Sequence, residues 1–166
     1  FGRGPEENYP DRKTGSFVGE HSRSVRDMFV PYARPNDMGN REEVRWIALT
    51  DGRGEGALFA TLGQPFSAAA LPLSASELRL ANHPPELPKS SRTVLTLDAS
   101  VLGMGGASCG PGPMERDIPK SNRAYHLGFV IRPVTTATSL ADAARVVSAN
   151  VAPVAIQLQK NKLVLT

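Results

Sequence analysis

The sequence predicts an all-β fold that is rich in loops. Its 166 residues include 15 glycines and 14 prolines but few aromatic residues, a composition that favours short strands and turns over a helical bundle. Two extended segments, 44–50 and 56–62, flank the turn sequence Asp51-Gly52-Arg53-Gly54 and predict an antiparallel hairpin. Hydrophobic residues make up 40% of the chain and charged residues 21%, as expected for a globular domain with a core.

Further strands are expected on both sides of this hairpin. Before it, residues 17–18 are apolar, and residues 24–32 could form either a helical turn or an edge strand. After it, residues 66–71 form an apolar extended segment, and polar and apolar residues alternate along 92–100. Trp46 is expected in the core, because large aromatic side chains are mostly buried.

A short helix is expected between these last two strands. Ser74 or Ser76 is the predicted N-cap, and Glu77 falls in the first turn, where a carboxylate is favourable. Three prolines between positions 84 and 88 prevent the helix from continuing.

The last strand of the domain is predicted over residues 124–132. Its alternating apolar side chains should share one face: Tyr125, Leu127, Phe129 and Ile131. The composition then changes, because residues 133–139 are rich in threonine and resemble a linker. Residues 139–148 can form a short helix, and residues 151–166 predict one or two strands.

Charge and composition exclude several classes of function. The net charge of +3 comes from basic residues that are interleaved with acidic ones, so we expect no nucleic-acid binding. The chain contains no apolar run of about 18 residues, so no membrane span is expected. The single cysteine, Cys109, rules out an internal disulfide and a metal site built from several cysteines.

The most informative segment is the run Gly4-Pro5-Glu6-Glu7-Asn8-Tyr9-Pro10-Asp11-Arg12. Its two prolines and four charges are incompatible with a helix or a regular strand. An ordered polar loop of this composition is more often a site or an interface than a spacer.

Two interpretations of this loop remain open. In the first it is a structural latch, in which Arg12 or Arg41 pairs with Glu7 or Asp11, and Tyr9 packs on a proline at position 31 or 35. In the second it is a surface that docks another domain and shapes its entrance.

Other candidate sites lack the local sequence that their chemistry needs. The glycine-rich loop 103–113 has no Gly-Lys-Ser/Thr and runs into prolines, which argues against phosphate binding. Cys109 carries no signature of a nucleophile, and the three histidines lack the spacing of metal ligands. The pairs Glu6/Glu7 and Glu42/Glu43 are neighbours in sequence and would not face one another across a substrate.

Six segments, taken together, resemble landmarks of the large bacterial β-galactosidases of glycoside hydrolase family 2. The opening run 4–12 is similar to a motif in the last β-sandwich domain of that family. The other landmarks follow in the family's order: 30–41, Val44-Arg45-Trp46, 78–87, Leu97-Asp98 and 103–111. The resemblance covers about residues 1–132 and is specific because all six segments occur in order.

The resemblance implies a fold and a domain organisation. The small-chain, domain 5-like region of these enzymes is an antiparallel β supersandwich of the galactose mutarotase-like type. Residues 1–132 are expected to be the C-terminal part of that domain, which would be incomplete at its N-terminal side. Residues 133–150 would then be a linker with a short helix, and residues 151–166 the start of a further small β module or a tail.

The resemblance also implies a function. The whole enzyme would hydrolyse terminal β-galactosides with retention, using two carboxylates that in the family lie on a (β/α)8 barrel domain. Nothing in this chain resembles that barrel, so no catalytic residue and no metal ligand is expected here, and the chain alone should be inactive. It would pack on the barrel of the same or a companion chain, in an enzyme expected to be a homo-oligomer. No cofactor is expected in this segment, whereas Mg²⁺ or Na⁺ is expected at the barrel.

Candidate site residues follow from the same resemblance. In the family a Gly-Gly-x-x-Ser-Trp-x-Pro loop reaches over the barrel mouth, which predicts a substrate entrance formed by Gly105, Gly106, Ser108 and Cys109. Cys109 stands where the family has a tryptophan that contacts the sugar, so lactose-like specificity is in doubt. The structural or interface loop is expected to comprise Glu7, Asn8, Tyr9, Asp11 and Arg12.

Alternative functions remain open at this point. A non-catalytic carbohydrate-binding β-sandwich would need exposed aromatic residues on one sheet face, and only Trp46 and three tyrosines are available. The chain could also be the small subunit of a split β-galactosidase. A mutarotase would need a His/Glu pair in the concave sheet, and fold alone does not imply that activity. The compartment stays open between the bacterial cytoplasm and the periplasm or secretion.

Overall fold

The computed structural model describes residues 1–106, 110–145, 156–159 and 162–165. Two three-stranded antiparallel sheets dominate this part of the chain. In the first, β6 (Phe66–Leu71) lies between β3 (Arg41–Val44) and β7 (Val94–Asp98). In the second, β5 (Gly56–Thr61) lies between β4 (Trp46–Thr50) and β8 (Phe129–Val134).

The described residues form two further antiparallel pairs of strands. β1 (Gly2–Gly4) pairs with β2 (Phe17–Gly19), so the loop between them returns close to where it starts. β9 (Ile156–Gln159) pairs with β10 (Lys162–Leu165), which agrees with the strands predicted over 151–166. The predicted all-β, antiparallel architecture is therefore confirmed.

The helices are few and short. In the described residues they are α1 (Ala75–Leu80), α2 (Leu140–Ala143) and three 3₁₀ turns at Arg26–Met28, Pro84–Glu86 and Glu115–Asp117. Ser74 is the N-cap of α1, and it forms a reciprocal capping box with Glu77. None of the helices in the described residues has the length and apolar character needed to cross a membrane.

A shared apolar cluster joins the two sheets. Val44, Phe66 and Ala68 of the first sheet are buried, and Ile47 and Phe129 of the second sheet pack against them. This contact packs the two sheets against one another, as in a β-sandwich. Each sheet also packs against its own helix: Leu71 with Leu78 of α1 in the first, and the Trp46 cluster with Leu140 of α2 in the second. The predicted burial of Trp46 is confirmed, since only 9% of it is exposed.

The predicted strand 44–50 is wrong in one respect. The chain bends at Arg45, and the segments before and after it belong to different sheets. The register of β3 shifts between Arg41 and Val44, and Glu43 lies between them with a φ of +53°. A bulge increases local twist, which lets the chain leave one sheet and enter the other.

The predicted strand 124–132 also needs correction. β8 begins only at Phe129 and extends to Val134, because its ladder spans the six residues of β5. Tyr125 and Leu127 lie before the ladder and are exposed, and Ile131 is 60% exposed on the open face of this edge strand. Pro133 is tolerated there because an edge strand has one side without ladder bonds. The predicted domain boundaries stay predictions. Val134, two residues beyond the predicted end of the domain at 132, is buried against Trp46.

Candidate functional site

Asn8 is the most buried residue of the opening polar loop. Its Nδ2 donates to the carbonyl oxygens of Arg3 at 3.1 Å and Glu6 at 3.0 Å, and its Oδ1 accepts from the backbone amide of Glu42 at 2.9 Å. Its own backbone amide and carbonyl both bond to Asn40, at 2.8 Å each. Every polar group of Asn8 is thus satisfied, which is what a fully buried amide requires.

The carboxylate of Glu7 is a second buried acceptor in this loop. It accepts hydrogen bonds from the hydroxyl of Tyr9 at 3.3 Å, from the hydroxyl of Tyr32, and from the backbone amide of Gly39 at 2.8 Å. Burial, together with the negative charge of Glu7, raises the pKa of both tyrosines, so both hydroxyls remain protonated donors. Arg12 Nη1 lies 4.0 Å from Glu7 Oε1, one of the ion pairs that the latch interpretation predicted.

Glu42 connects this loop to the first sheet. Its Oε1 accepts from Asn40 Nδ2 at 2.9 Å and from the hydroxyl of Ser67, on β6, at 2.6 Å. Lys13 Nζ lies 3.7 Å from its other oxygen. We refer to the following buried residues as the polar core: Glu7, Asn8, Asn40, Glu42 and Ser67.

Arg41 does not form the ion pair with Glu7 or Asp11 that the latch interpretation offered as an alternative to Arg12. Its guanidinium donates to carbonyl oxygens, at 2.8 and 3.1 Å to Pro5 and at 3.0 Å to Gly39. Arg12, not Arg41, is the arginine beside Glu7. Burial lowers the pKa of Arg41, with the nearby charge of Arg23 acting in the same direction. The packing of Tyr9 on a proline stays a prediction, although Tyr9 is only 5% exposed.

The side chain of Asp11 connects the opening loop to the glycine-rich loop 103–113. Its Oδ1 accepts from the backbone amide of Met104 at 2.9 Å and its Oδ2 from that of Gly105 at 2.7 Å. Burial opposes ionisation of Asp11, but these two amides outweigh it and hold the pKa of the carboxyl below its ordinary value. Nothing in the sequence pairs position 11 with positions 104 and 105, so sequence reasoning missed this contact.

The glycines of the second loop allow close backbone approaches. Gly106 accepts from the amide of Gly110 and donates to Pro111 O, at 3.2 and 2.7 Å. A Cβ at Gly105 would lie 2.6 Å from Gly112 C, and one at Gly106 would lie 2.5 Å from Gly110 Cα. A larger residue would therefore displace the loop. Gly105 and Gly106 are adjacent in this loop, whereas Ser108 and Cys109 are outside the described residues. The predicted substrate entrance formed by these four residues stays a prediction.

A polar cleft of about 280 Å³ opens beside these contacts and is lined by Glu7, Asp11 and Arg12 among others. In the polar core, Glu7 accepts hydrogen bonds at both carboxylate oxygens, whereas Glu42 accepts at Oε1 and its Oε2 lies 3.7 Å from Lys13 Nζ. No group of three or more histidine, cysteine, aspartate or glutamate residues with the arrangement of a metal site occurs in the described part of the chain.

Comparison with known proteins identifies the family. The model of the β-galactosidase small chain family matches residues 1–131. A β-galactosidase of Priestia megaterium is 35% identical over 135 residues, which cover 81% of this chain and 13% of that protein. A β-galactosidase of Arthrobacter sp. (strain B7) is 40% identical over 115 residues, which cover 67% of this chain and 11% of that protein.

A third relative, a β-galactosidase of Lactobacillus delbrueckii subsp. bulgaricus, is 37% identical over 135 residues, or 81% of this chain and 13% of that protein. The chain thus spans little more than a tenth of the length of these relatives and matches them over most of its own. The resemblance inferred from the six segments is confirmed. The chain belongs to the β-galactosidase small chain family.

Proposed function

We propose that this chain is the C-terminal part of a glycoside hydrolase family 2 β-galactosidase and forms part of its galactose mutarotase-like supersandwich. It packs on the catalytic barrel, in the same or a companion chain, and lends the loop 103–113 to the entrance for terminal β-galactosides. The hydrolysis proceeds with retention, through two carboxylates on the barrel. The enzyme is a homo-oligomer, and Mg²⁺ or Na⁺ is held at the barrel, with no cofactor in this segment.

The observation that carries this proposal is the contact between the two loops that the family resemblance singled out. Asp11 holds the backbone of the glycine-rich loop at Met104 and Gly105, at 2.9 and 2.7 Å. An entrance loop needs such support, because a sugar is recognised by groups held in a defined geometry. The position of Cys109 in this loop, where the family has tryptophan, supports a substrate preference different from that for lactose.

The hydrogen bonds and ion pairs of Glu7 and Glu42, the two carboxylates of the polar core, support a catalytic pair that lies outside this chain. Glu7 accepts three hydrogen bonds and Glu42 two, and each lies near a basic side chain. A general acid or nucleophile needs a free carboxyl oxygen directed at the substrate. These carboxylates instead stabilise the fold.

A carbohydrate-binding module receives less support. Such a module would present aromatic rings to the sugar on one sheet face. Trp46 is 9% and Tyr9 5% exposed, and Tyr32 is bonded to Glu7. The exposed aromatic residues Phe1, Phe17 and Tyr125 lie outside the two three-stranded sheets.

Hydrolysis of a chromogenic β-galactoside tests the proposal. The purified chain is assayed alone and mixed with a barrel-containing fragment that lacks this region, with circular dichroism as the check of folding. Activity is expected only in the mixture. Activity of the chain alone would contradict the absence of a catalytic pair. Inactivity in both, from a folded chain that binds sugar, would favour the binding module.

A matched pair of glycine variants tests the role of the loop in the full-length enzyme. Gly106→Ala forces the loop open, because the new Cβ would lie 2.5 Å from Gly110 Cα. Gly52→Ala, in the turn between β4 and β5, adds a Cβ with no atom within 4 Å and serves as the control. A rise in KM with the first variant alone is expected, whereas an unchanged KM for Gly106→Ala would contradict an entrance role.

A further inference from the structure

We propose that Asp11 is a positioning residue for the substrate entrance, where its carboxylate sets the conformation of the backbone at 103–106. This inference rests on the proposed function, in which the loop 103–113 shapes that entrance. It assigns to Asp11 a task different from that of its neighbours Glu7 and Asn8, which are buried and stabilise the fold.

The geometry of the contact is that of an anion site filled by the protein's own carboxylate. Both oxygens of Asp11 are used, one for each of two consecutive amides, at 2.9 Å to Met104 and 2.7 Å to Gly105. Gly105 has a φ of +59°, a conformation in which successive amides can converge on one anion. The charge on Asp11 makes these hydrogen bonds stronger than those between neutral groups.

The fit of the loop around Asp11 leaves no room for a side chain at Gly103. A Cβ there would lie 2.8 Å from Asp11 Oδ2 and 2.9 Å from Asp117 Cβ. The amide of Gly103 donates to the carbonyl of Asp117 at 2.8 Å. The start of the loop is therefore held from two sides, by a side chain 93 and 94 positions earlier in sequence and by the 3₁₀ turn that follows.

Asp11 projects from a rigid base. Tyr9 and Arg12 close a tight turn around it, with the amide of Arg12 2.9 Å from the carbonyl of Tyr9. Immediately before this turn lies Asn8, which is fully buried and whose polar groups are all hydrogen-bonded. Asp11 itself is exposed, so its carboxylate contributes little to the core and its evident effect is on the second loop. The polar core thus fixes the position of Asp11, and Asp11 in turn fixes the backbone of the entrance loop.

The test is Asp11→Asn in the full-length enzyme. The amide of asparagine retains one acceptor oxygen, so one of the two loop amides loses its partner and the charge is gone. The matched control is Asp51→Asn, because Asp51 is also exposed and also accepts from two backbone amides, those of Arg53 at 2.8 Å and Glu55 at 3.1 Å. The control lies in the turn between β4 and β5, away from the glycine-rich loop.

Two measurements are made on each variant: KM and kcat for a chromogenic β-galactoside, and hydrogen–deuterium exchange of the peptide that contains Met104 and Gly105. Asp11→Asn is expected to accelerate exchange of this peptide and to raise KM on the order of tenfold, as the loss of one charge-assisted hydrogen bond would. The value of kcat should change less than KM, because the catalytic pair is not disturbed. Asp51→Asn should change neither measurement.

Each other outcome is decisive. An unchanged KM for Asp11→Asn overturns the inference, whether or not exchange becomes faster. If Gly106→Ala raises KM and Asp11→Asn does not, the inference fails while the proposed entrance role stands. If neither variant changes KM, the entrance role fails as well. Should Asp11→Asn not fold, Gly103→Ala replaces it, because its new Cβ would push the Asp11 carboxylate away, and the same rise in KM is expected.

Discussion

The side-chain oxygen of Asn8 accepts a hydrogen bond from the backbone amide of Glu42 at 2.9 Å, in a fully buried position. This bond joins the opening loop to β3, and the Nδ2 of the same side chain holds the carbonyls of Arg3 and Glu6. One residue thus organises the loop internally and attaches it to the first sheet.

Replacement of Asn8 by alanine should destabilise the chain strongly. It leaves the buried amide of Glu42 without its acceptor and removes the donor to the carbonyls of Arg3 and Glu6, which we expect to lower the free energy of unfolding by about 2–4 kcal/mol. Urea unfolding followed by circular dichroism measures this loss. Asn82→Ala, at an exposed position after α1, is the control and should stay within about 0.5 kcal/mol. Equal effects of the two variants would contradict the central role of Asn8.

Tyr32→Phe should weaken the attachment of Glu7. The substitution removes a hydroxyl that donates to a buried carboxylate, and we expect a loss of about 1–2 kcal/mol in the free energy of unfolding. Tyr125→Phe is the same chemical change at a residue that is 40% exposed, and its effect should be smaller. The comparison uses thermal or urea unfolding, and a larger loss for Tyr125→Phe would refute the assignment.

Leu58→Ala should create a cavity in the second sheet. Leu58 is fully buried in the cluster with Trp46, Ala60 and Val134, so truncation should cost about 2–5 kcal/mol. Ile131→Ala, on the neighbouring strand β8, is the control, since 60% of that residue is exposed. The midpoints of urea unfolding should separate the two variants clearly, and coincident midpoints would contradict the position of this core.

The capping box of α1 should make stability depend on pH. Hydrogen bonds from the side chain and backbone amide of Ser74, at 2.6 and 2.8 Å, lower the pKa of Glu77 from 4.5 to about 2. Arg92 acts in the same direction. Because the folded state favours the ionised carboxylate, this stabilisation is present above pH 4.5 and is lost as the pH falls towards 2.

Comparison of the chain with its Glu77→Gln variant checks this expectation. The difference between their free energies of unfolding should be largest near neutral pH and should shrink between pH 4.5 and about 2. A difference that stays constant over this interval would contradict the role of the ionised carboxylate.

Local features of the fold were predictable because their causes are local. The turn at 51–54 forms where the sequence indicates it, with Asp51 bonded to the amides of Arg53 and Glu55. Ser74 and Glu77 are three residues apart and cap one another. The burial of Trp46 follows from the size and apolarity of its side chain.

The division of residues 41–50 between two sheets was not predictable from this stretch alone. The alternation of apolar residues looks the same whether the chain stays in one sheet or passes into another. The pattern over 44–50 therefore indicated a single strand. The bulge with Glu43 at a positive φ decides the break at Arg45. The start of β8 is likewise decided by the length of its partner β5, not by its own sequence.

The sequence by itself determined the all-β class, the hairpin, the capped helix and the family, because these depend on composition, short spacings and ordered motifs. It also singled out the opening loop and the glycine-rich loop as the segments that matter. Only the tertiary structure decided which groups meet: Glu7 with Tyr32, Glu42 with Ser67, and Asp11 with Gly105, across 25, 25 and 94 positions. A carboxylate can accept from many donors, and only the folded backbone selects the ones that lie within hydrogen-bonding distance.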